Sequence, residues 1–387
     1  MEVDGATIAV TMGFMPGSLA APDTDHPGLL RADPRAAAPY ARDQVERHVC
    51  RATDTCRDQT VQPELLEFGF DTVDLSDLDV LQQVCGRVRA AGLITDEDAA
   101  AIRSSLQGAV LRCQGGRTLT VLYLADEGLI MRKAGPNAMA VVEPRPDGMN
   151  DHGGATSVHA DQDVFGTPLR QLMEGRAPSL FRHDSPDGHN HEAGLMLLNL
   201  WIPLQQVTQP LVLADGRSVD RRRHQLRYGL ATETFLERED DVAVNDIWTF
   251  LYDPDQRWYL TSDMDHRRAY VFNTLSTPHG ACTLPGEDLA EQSFRSLETA
   301  EAALARGDVT ALVEAVSPVR HVEVPIGVPP ALRDAIQAMA AVADEAHRDP
   351  VHLSGEGARA WLNRSNEARR RLVRMSLEMR MVVSVDD

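Results

Sequence analysis

The segment SVHADQDVFGTPL places His159 and Asp161 two residues apart. On a strand, residues i and i+2 share one face, so an imidazole and a carboxylate at this spacing converge on one ion. A third donor comes much later. His279 follows the apolar run RAYVFNTLS and is bracketed by Pro278 and Gly280. Two histidines and one carboxylate form a facial donor set that suits Fe(II) and leaves three coordination positions open. His-x-Asp alone is a weak pattern. It gains weight from its place in a β-rich region with a distal histidine after a second such region. The competing reading is two solvated loop residues and an unrelated histidine.

The elements that would position these donors follow from periodicity. Runs of β-branched or apolar residues with turn residues between them predict strands at 118–124, 129–132, 138–144, 156–161, 195–204, 210–215, 246–252 and 268–276. Residues 1–60, rich in Pro, Ala, Asp and Arg, read as loop and short helix. Helices are expected at 78–92, capped by Asp77 or Asp79, and from Thr95 onward, with Thr95 as N-cap. Helical spacing returns from about 297 and extends through the terminal stretch GEGARAWLNRSNEARRRLVRMSLEMRMVV. The fold class expected is a mainly β core with α additions, a barrel or sandwich flanked by helices. Three regions result: an N-terminal extension over 1–115, a β core over 116–300 and a helical region over 301–387.

Composition narrows the function. Among 387 residues, 38 Lys plus Arg stand against 58 Asp plus Glu, a net charge of −20. So acidic a chain is a poor polyanion binder, which argues against nucleic acid and anionic membranes as partners. No stretch is long and apolar enough to cross a membrane, and the acidic start does not read as a secretory signal. Five cysteines without CxxC spacing argue against a disulfide framework or zinc ribbon and favour a cytoplasmic setting. There is no P-loop, no GxGxxG after a strand and no GxSxG elbow. Lys133 is the single lysine; the other cations are arginine. With Arg132 it stands at a strand end, where either could pair with a substrate carboxylate or phosphate. The run DRRRHQLR (220–227) reads as a solvated hairpin or an anion-steering patch, and His183, His189 and His191 as a polar loop beside the site.

Three segments carry a resemblance to the Fe(II)/2-oxoglutarate-dependent oxygenases, over roughly 118–300. The first is VHAD with Gln162 and Asp163 behind it. The second is LNLWIPLQQVTQPLVLADG (198–216), similar to the Asn-x-Trp-x-Pro-Leu strand of small-molecule members. The third is WYLTSDMDHRRAYVFNTLSTPHGACTLPGE with SFRSLE after it. The resemblance implies a double-stranded β-helix, of jelly-roll or cupin-like form, with Fe(II) held by His159, Asp161 and His279 and with 2-oxoglutarate and O2 as co-substrates. It implies Arg295 and Ser296, with Asn199 and Trp201, at 2-oxoglutarate, and Arg132, Lys133 and Gln162 at a small-molecule substrate. Arg295 and Ser296 are adjacent here, whereas the family pattern is Arg-x-Ser; Arg267, Arg268, Arg132 and Lys133 are the rival anchors. The expected reaction is hydroxylation of an unactivated C–H, with desaturation or cyclisation using the same centre, in a bacterial specialised-metabolite pathway on an amino-acid-derived scaffold. The presence of Asp161 disfavours halogenation. Two other readings stay open: a cupin-type metal-dependent isomerase or lyase, and a non-catalytic ligand-binding β-barrel. The long terminal helix leaves packing on the barrel and a homodimer interface both open.

Overall fold

The computed structural model describes residues 6–24, 26–32, 45–124, 129–141, 148–150, 152–155, 157–161, 195–231, 244–353 and 355–386. Two sheets are formed by these residues. The ten-stranded sheet contains β1 (Thr7–Phe14), β2 (Ala20–Pro22), β3 (Leu30–Ala32), β4 (Glu46–Asp54), β9 (His159–Ala160), β11 (Leu211–Ala214), β12 (Gln225–Ala231), β13 (Val244–Phe250), β14 (Trp258–Leu260) and β16 (His279–Ala281). Its order is β1-β4-β14-β11-β16-β9-β13-β12-β3-β2. The seven-stranded sheet contains β5 (Phe70–Asp74), β6 (Val110–Arg112), β7 (Thr118–Leu124), β8 (Ile130–Ala134), β10 (Leu195–Pro203), β15 (Arg268–Asn273) and β17 (Arg374–Asp386). Its order is β5-β15-β10-β17-β7-β6, with β8 also paired to β17.

From β8 onward the chain alternates between the sheets: β8, β10, β15 and β17 lie in one, and β9, β11, β16 and their neighbours in the other. Such crossing between two facing, mainly antiparallel sheets is the double-stranded β-helix. Period-2 alternation assigns each strand's two faces. On β10, Leu198, Leu200 and Ile202 join Met375, Leu377, Met379 and Met381 of β17 under the helices α1 (Asp79–Ala91) and α2 (Asp96–Leu106). The opposite face of β10 turns Asn199 and Trp201 inward, beside Phe272 and Tyr270 of β15. The ten-stranded sheet is covered on its outer face by α3 (Glu287–Ala305), α4 (Val309–Val316), α5 (Pro330–Arg348) and α6 (Ala358–Leu372), over Val10, Phe14, Ala160, Trp248 and Trp258. The order is therefore helices, sheet, interior, sheet, helices.

Several local expectations are revised. The first sixty residues supply β1 to β4, because alternating Ile8, Val10, Met12 and Phe14 bury one face against the helical layer. Helix α1 has Leu78 at its N-cap with no side-chain cap, so neither Asp77 nor Asp79 caps it. Thr95 caps α2 as expected, its Oγ1 accepting the Asp98 N–H at 3.1 Å. The strand expected over 138–144 is not seen at its described residues. Pro136–Ala138 form a short 3-10 turn, and Asn137 and Ala138 take positive φ values of 54° and 56°, outside the β region. The largest change is terminal. The helix over 358–372 packs on the barrel's helical layer through buried Trp361, but 374–386 is a thirteen-residue strand. Met375, Leu377, Met379 and Met381 alternate with Ser376, Glu378 and Arg380, a period of two that the arginine-rich helix before it obscures. No described helix is long and apolar enough to cross a membrane.

Candidate metal centre

His159 begins β9 and His279 begins β16, and the two are register partners on neighbouring antiparallel strands. Asp161 follows β9 and turns to the same interior. Among the described residues, these three are the group whose donor atoms could hold one ion, with those atoms within 4.8 Å of one another and all three residues buried. His159 Nε2 stands 3.4 Å from Asp161 Oδ1, and His279 Nε2 stands 3.7 Å from Asp161 Oδ2.

Both rings are oriented by backbone. His159 Nδ1 pairs with the Ser157 carbonyl at 2.9 Å and His279 Nδ1 with the Thr277 carbonyl at 3.0 Å. A carbonyl only accepts, so each Nδ1 carries the proton and each Nε2 offers a lone pair to the shared space. Burial, followed by the His159 charge, pulls His279 down to about 4, so its ring is neutral at neutral pH. For Asp161, burial opposes ionisation, but the His279 charge and the hydrogen bond and charge of His159 outweigh it and hold the carboxyl well below the usual range. Metal binding requires neutral imidazole and ionised carboxylate, the states that these surroundings favour at His279 and Asp161.

Beyond the donors, a small cavity is lined by His159, His279, Trp201, Phe272, Arg374 and Glu378, with Arg132 at its wall. The charged members come mainly from β17. Arg132 donates from Nε to Glu378 Oε2 at 2.6 Å and from Nη1 to the Gly153 carbonyl at 3.0 Å. Glu378 is thus occupied by Arg132. Arg374 is buried, donates to the Gln209 carbonyl at 3.3 Å, and keeps a buried Nε without a partner among the described residues. Burial, then the like charge of Arg132, disfavours its cation, a strain that an incoming carboxylate would relieve.

The residues singled out from sequence separate accordingly. His159, Asp161, His279, Trp201 and Arg132 meet in one interior, and Asn199 reaches Asp161 from β10. Arg295 does not join them. It lies on the exposed side of α3 and gives Nε and Nη2 to Glu291 Oε1, both at 2.9 Å, because the chain turns helical at Glu287. Ser296 sits on the same helix. Lys133 pairs with Met375 and so faces away from the interior that Arg132 enters. Gln162, Asp163, His183, His189 and His191 lie outside the described residues. Of the rival anchors, Arg267 is exposed beside Asp265 and Arg268 is exposed on β15. The run 220–227 is not a free hairpin: it forms a helical turn leading into β12, with Arg221 and Arg227 buried, the latter at 3.1 Å from Asp23, and Arg222 and Arg223 exposed. Sequence reasoning missed Arg374 and Glu378, whose signal was the alternation of β17.

A family model described as an Oxidoreductase/YMDC permease-like domain matches residues 131–307. Among solved structures, the chain matches the iron and alpha-ketoglutarate-dependent endoperoxidase NvfI at 14% identity, over 98% of this chain and 99% of that one, with a TM-score of 0.46. It also matches a tryptophan-to-phenylalanine variant of that enzyme at 15% identity, over 99% of each chain, with a TM-score of 0.46. No curated protein matches.

Proposed function

We propose that this chain is an Fe(II)- and 2-oxoglutarate-dependent oxygenase that hydroxylates a C–H bond of a small organic molecule. The observation that carries the proposal is the buried His159–Asp161–His279 donor set beside a cavity that Arg374 also lines. The oxidoreductase-like match spans all three donors.

The donor set fits the ion: nitrogen and oxygen ligands suit Fe(II), and three ligands leave three positions for co-substrates. When bound, the iron with 2-oxoglutarate and O2 supplies the oxidising power, with succinate and CO2 as co-products. The protein's own part is positional. His159 and His279 present Nε2, and Asp161 supplies the balancing negative charge. Arg374 grips the far carboxylate of 2-oxoglutarate, replacing Arg295 in that role, because a guanidinium with spare donors in a dry site binds a carboxylate by charge-assisted hydrogen bonds. Glu378 keeps Arg132 engaged, so one carboxylate is drawn to one cation. Trp201 and Phe272 wall the cavity and limit water. The span 116–300 is the catalytic core, and the terminal strand completes it.

The test is anaerobic. Fe(II) and then 2-oxoglutarate are added to the pure chain, and the weak visible charge-transfer band of the chelate is sought. A band lost in His159→Ala supports the reading. Stoichiometric metal binding without a band would overturn it in favour of a Lewis-acid isomerase or lyase.

A further inference from the structure

Asn199 is fully buried on β10, on the face that looks across the interior at the donors. Its Nδ2 donates to Asp161 Oδ2, and its Oδ1 accepts the Thr274 Oγ1 hydroxyl at 3.2 Å. Thr274, also buried, stands just after β15 and is tied by its N–H to the Leu197 carbonyl at 3.3 Å. The two contacts fix which end of the amide is which: only the NH2 end can face a carboxylate, and only the oxygen can take the hydroxyl proton. One Asp161 oxygen is thereby engaged from the opposite sheet. The other, Oδ1, stays on the side of His159 Nε2.

We propose that Asn199 is a positioning residue that keeps Asp161 a one-oxygen ligand, with Thr274 setting the direction of its amide. The inference rests on the Fe(II)/2-oxoglutarate reading and follows from coordination number. An octahedral ion held by two imidazoles and one carboxylate oxygen has three positions left. A carboxylate that swings to bind through both oxygens leaves two. Two-atom chelation by 2-oxoglutarate uses both, and none remains for O2. The hydrogen bond to Oδ2 competes with the second metal–oxygen bond, and burial strengthens that competition because the amide has no water to turn to.

The test needs neither 2-oxoglutarate nor turnover. The full chain is loaded with Mn(II) as probe, and exchangeable waters on the ion are counted from line broadening of the Mn(II) resonance in oxygen-17 water. The proposal expects three waters in the wild type and the loss of one in Asn199→Ala. Thr274→Val leaves the amide in place but removes the donor that orients it, and shifts the count the same way. Should Asn199→Ala fail to fold, judged by circular dichroism, Thr274→Val decides. Three waters in a folded Asn199→Ala, or two in the wild type, would overturn the proposal. The charge-transfer band decides the oxygenase reading separately, so a chain with three waters and no band would lose that reading while retaining the role of Asn199.

Discussion

His159 and His279 stand directly across from one another on adjacent antiparallel strands, their ring centroids 4.4 Å apart, each pinned through Nδ1 to the carbonyl two residues before it. Strand pairing sets the separation of the two nitrogens, and backbone sets their tautomers. The site is therefore formed before any ion arrives. Removing a donor should empty the site without collapsing the barrel. His159→Ala, Asp161→Ala and His279→Ala should each weaken Fe(II) binding beyond the roughly 10–100-fold typical of losing an outer-shell partner. Anaerobic metal titration measures this, with the melting of the metal-free chain as the control. Near-normal affinity in any one variant would remove that residue from the ligand set.

Arg374 and Arg295 give opposite forecasts. A buried charge-assisted contact is worth roughly 1.5–3 kcal/mol, so Arg374→Leu should raise the 2-oxoglutarate concentration needed for the charge-transfer band by roughly 10- to 150-fold. Arg295→Ala removes an exposed i,i+4 pair with Glu291 and should leave that titration unchanged. The reverse pattern would return the anchor to α3.

Glu287 supplies a pH dependence away from the metal. Burial raises its carboxyl to about 7 despite hydrogen bonds accepted from the Leu284 and Asn137 N–H groups. A folded-state value above the unfolded one means that the native chain holds the extra proton between the two. Stability should therefore fall as pH rises from about 4.5 to about 7, by roughly 3 kcal/mol for a fully realised shift. Asp71, also raised to about 7 by burial, slopes the same way. Urea unfolding across that range should show a shallower slope for Glu287→Gln than for the wild type. An unchanged slope would mean that Glu287 ionises freely in the folded chain.

The terminal strand should be indispensable. β17 lies between β10 on one side and β7 and β8 on the other, so ending the chain after Leu372 removes an interior strand rather than a tail. Such a truncation should abolish the cooperative melting transition. A graded version is Leu377→Ala, at a fully buried position, expected to cost about 2–5 kcal/mol. A truncated chain that melted cooperatively would contradict the strand's central place.

The core strands and the metal donors were legible because each signal is local. Apolar runs at Leu195–Pro203 and Arg268–Asn273 mark strands, and His-x-Asp on one strand face needs no tertiary information. Arg374, the cation we propose for the co-substrate, was not legible in the same way. The spacing in the family that the chain resembles would place it soon after the distal histidine, but here a run of helices from Glu287 to Leu372 intervenes before β17. Arg295 sat at the expected distance along the chain, whereas Arg374 lines the cavity beside His159 and His279. Arg374, Ser376, Glu378 and Arg380 of β17 also looked like helix surface, because the helix immediately before them is rich in arginine. The β1 and β4 strands were hidden by the Pro- and Ala-rich residues between them.

The late position of β17 has a consequence for how the protein comes to exist. Its register partners on β10, such as Leu200 opposite Met379, are made long before it during translation. Until residues 374–386 have been made, the nascent chain has its three donor residues but lacks both the strand that pairs with β10 and the guanidinium of Arg374. Contacts of such long range form slowly. A product stalled or nicked before Arg374 therefore lacks the cation we assign to the co-substrate.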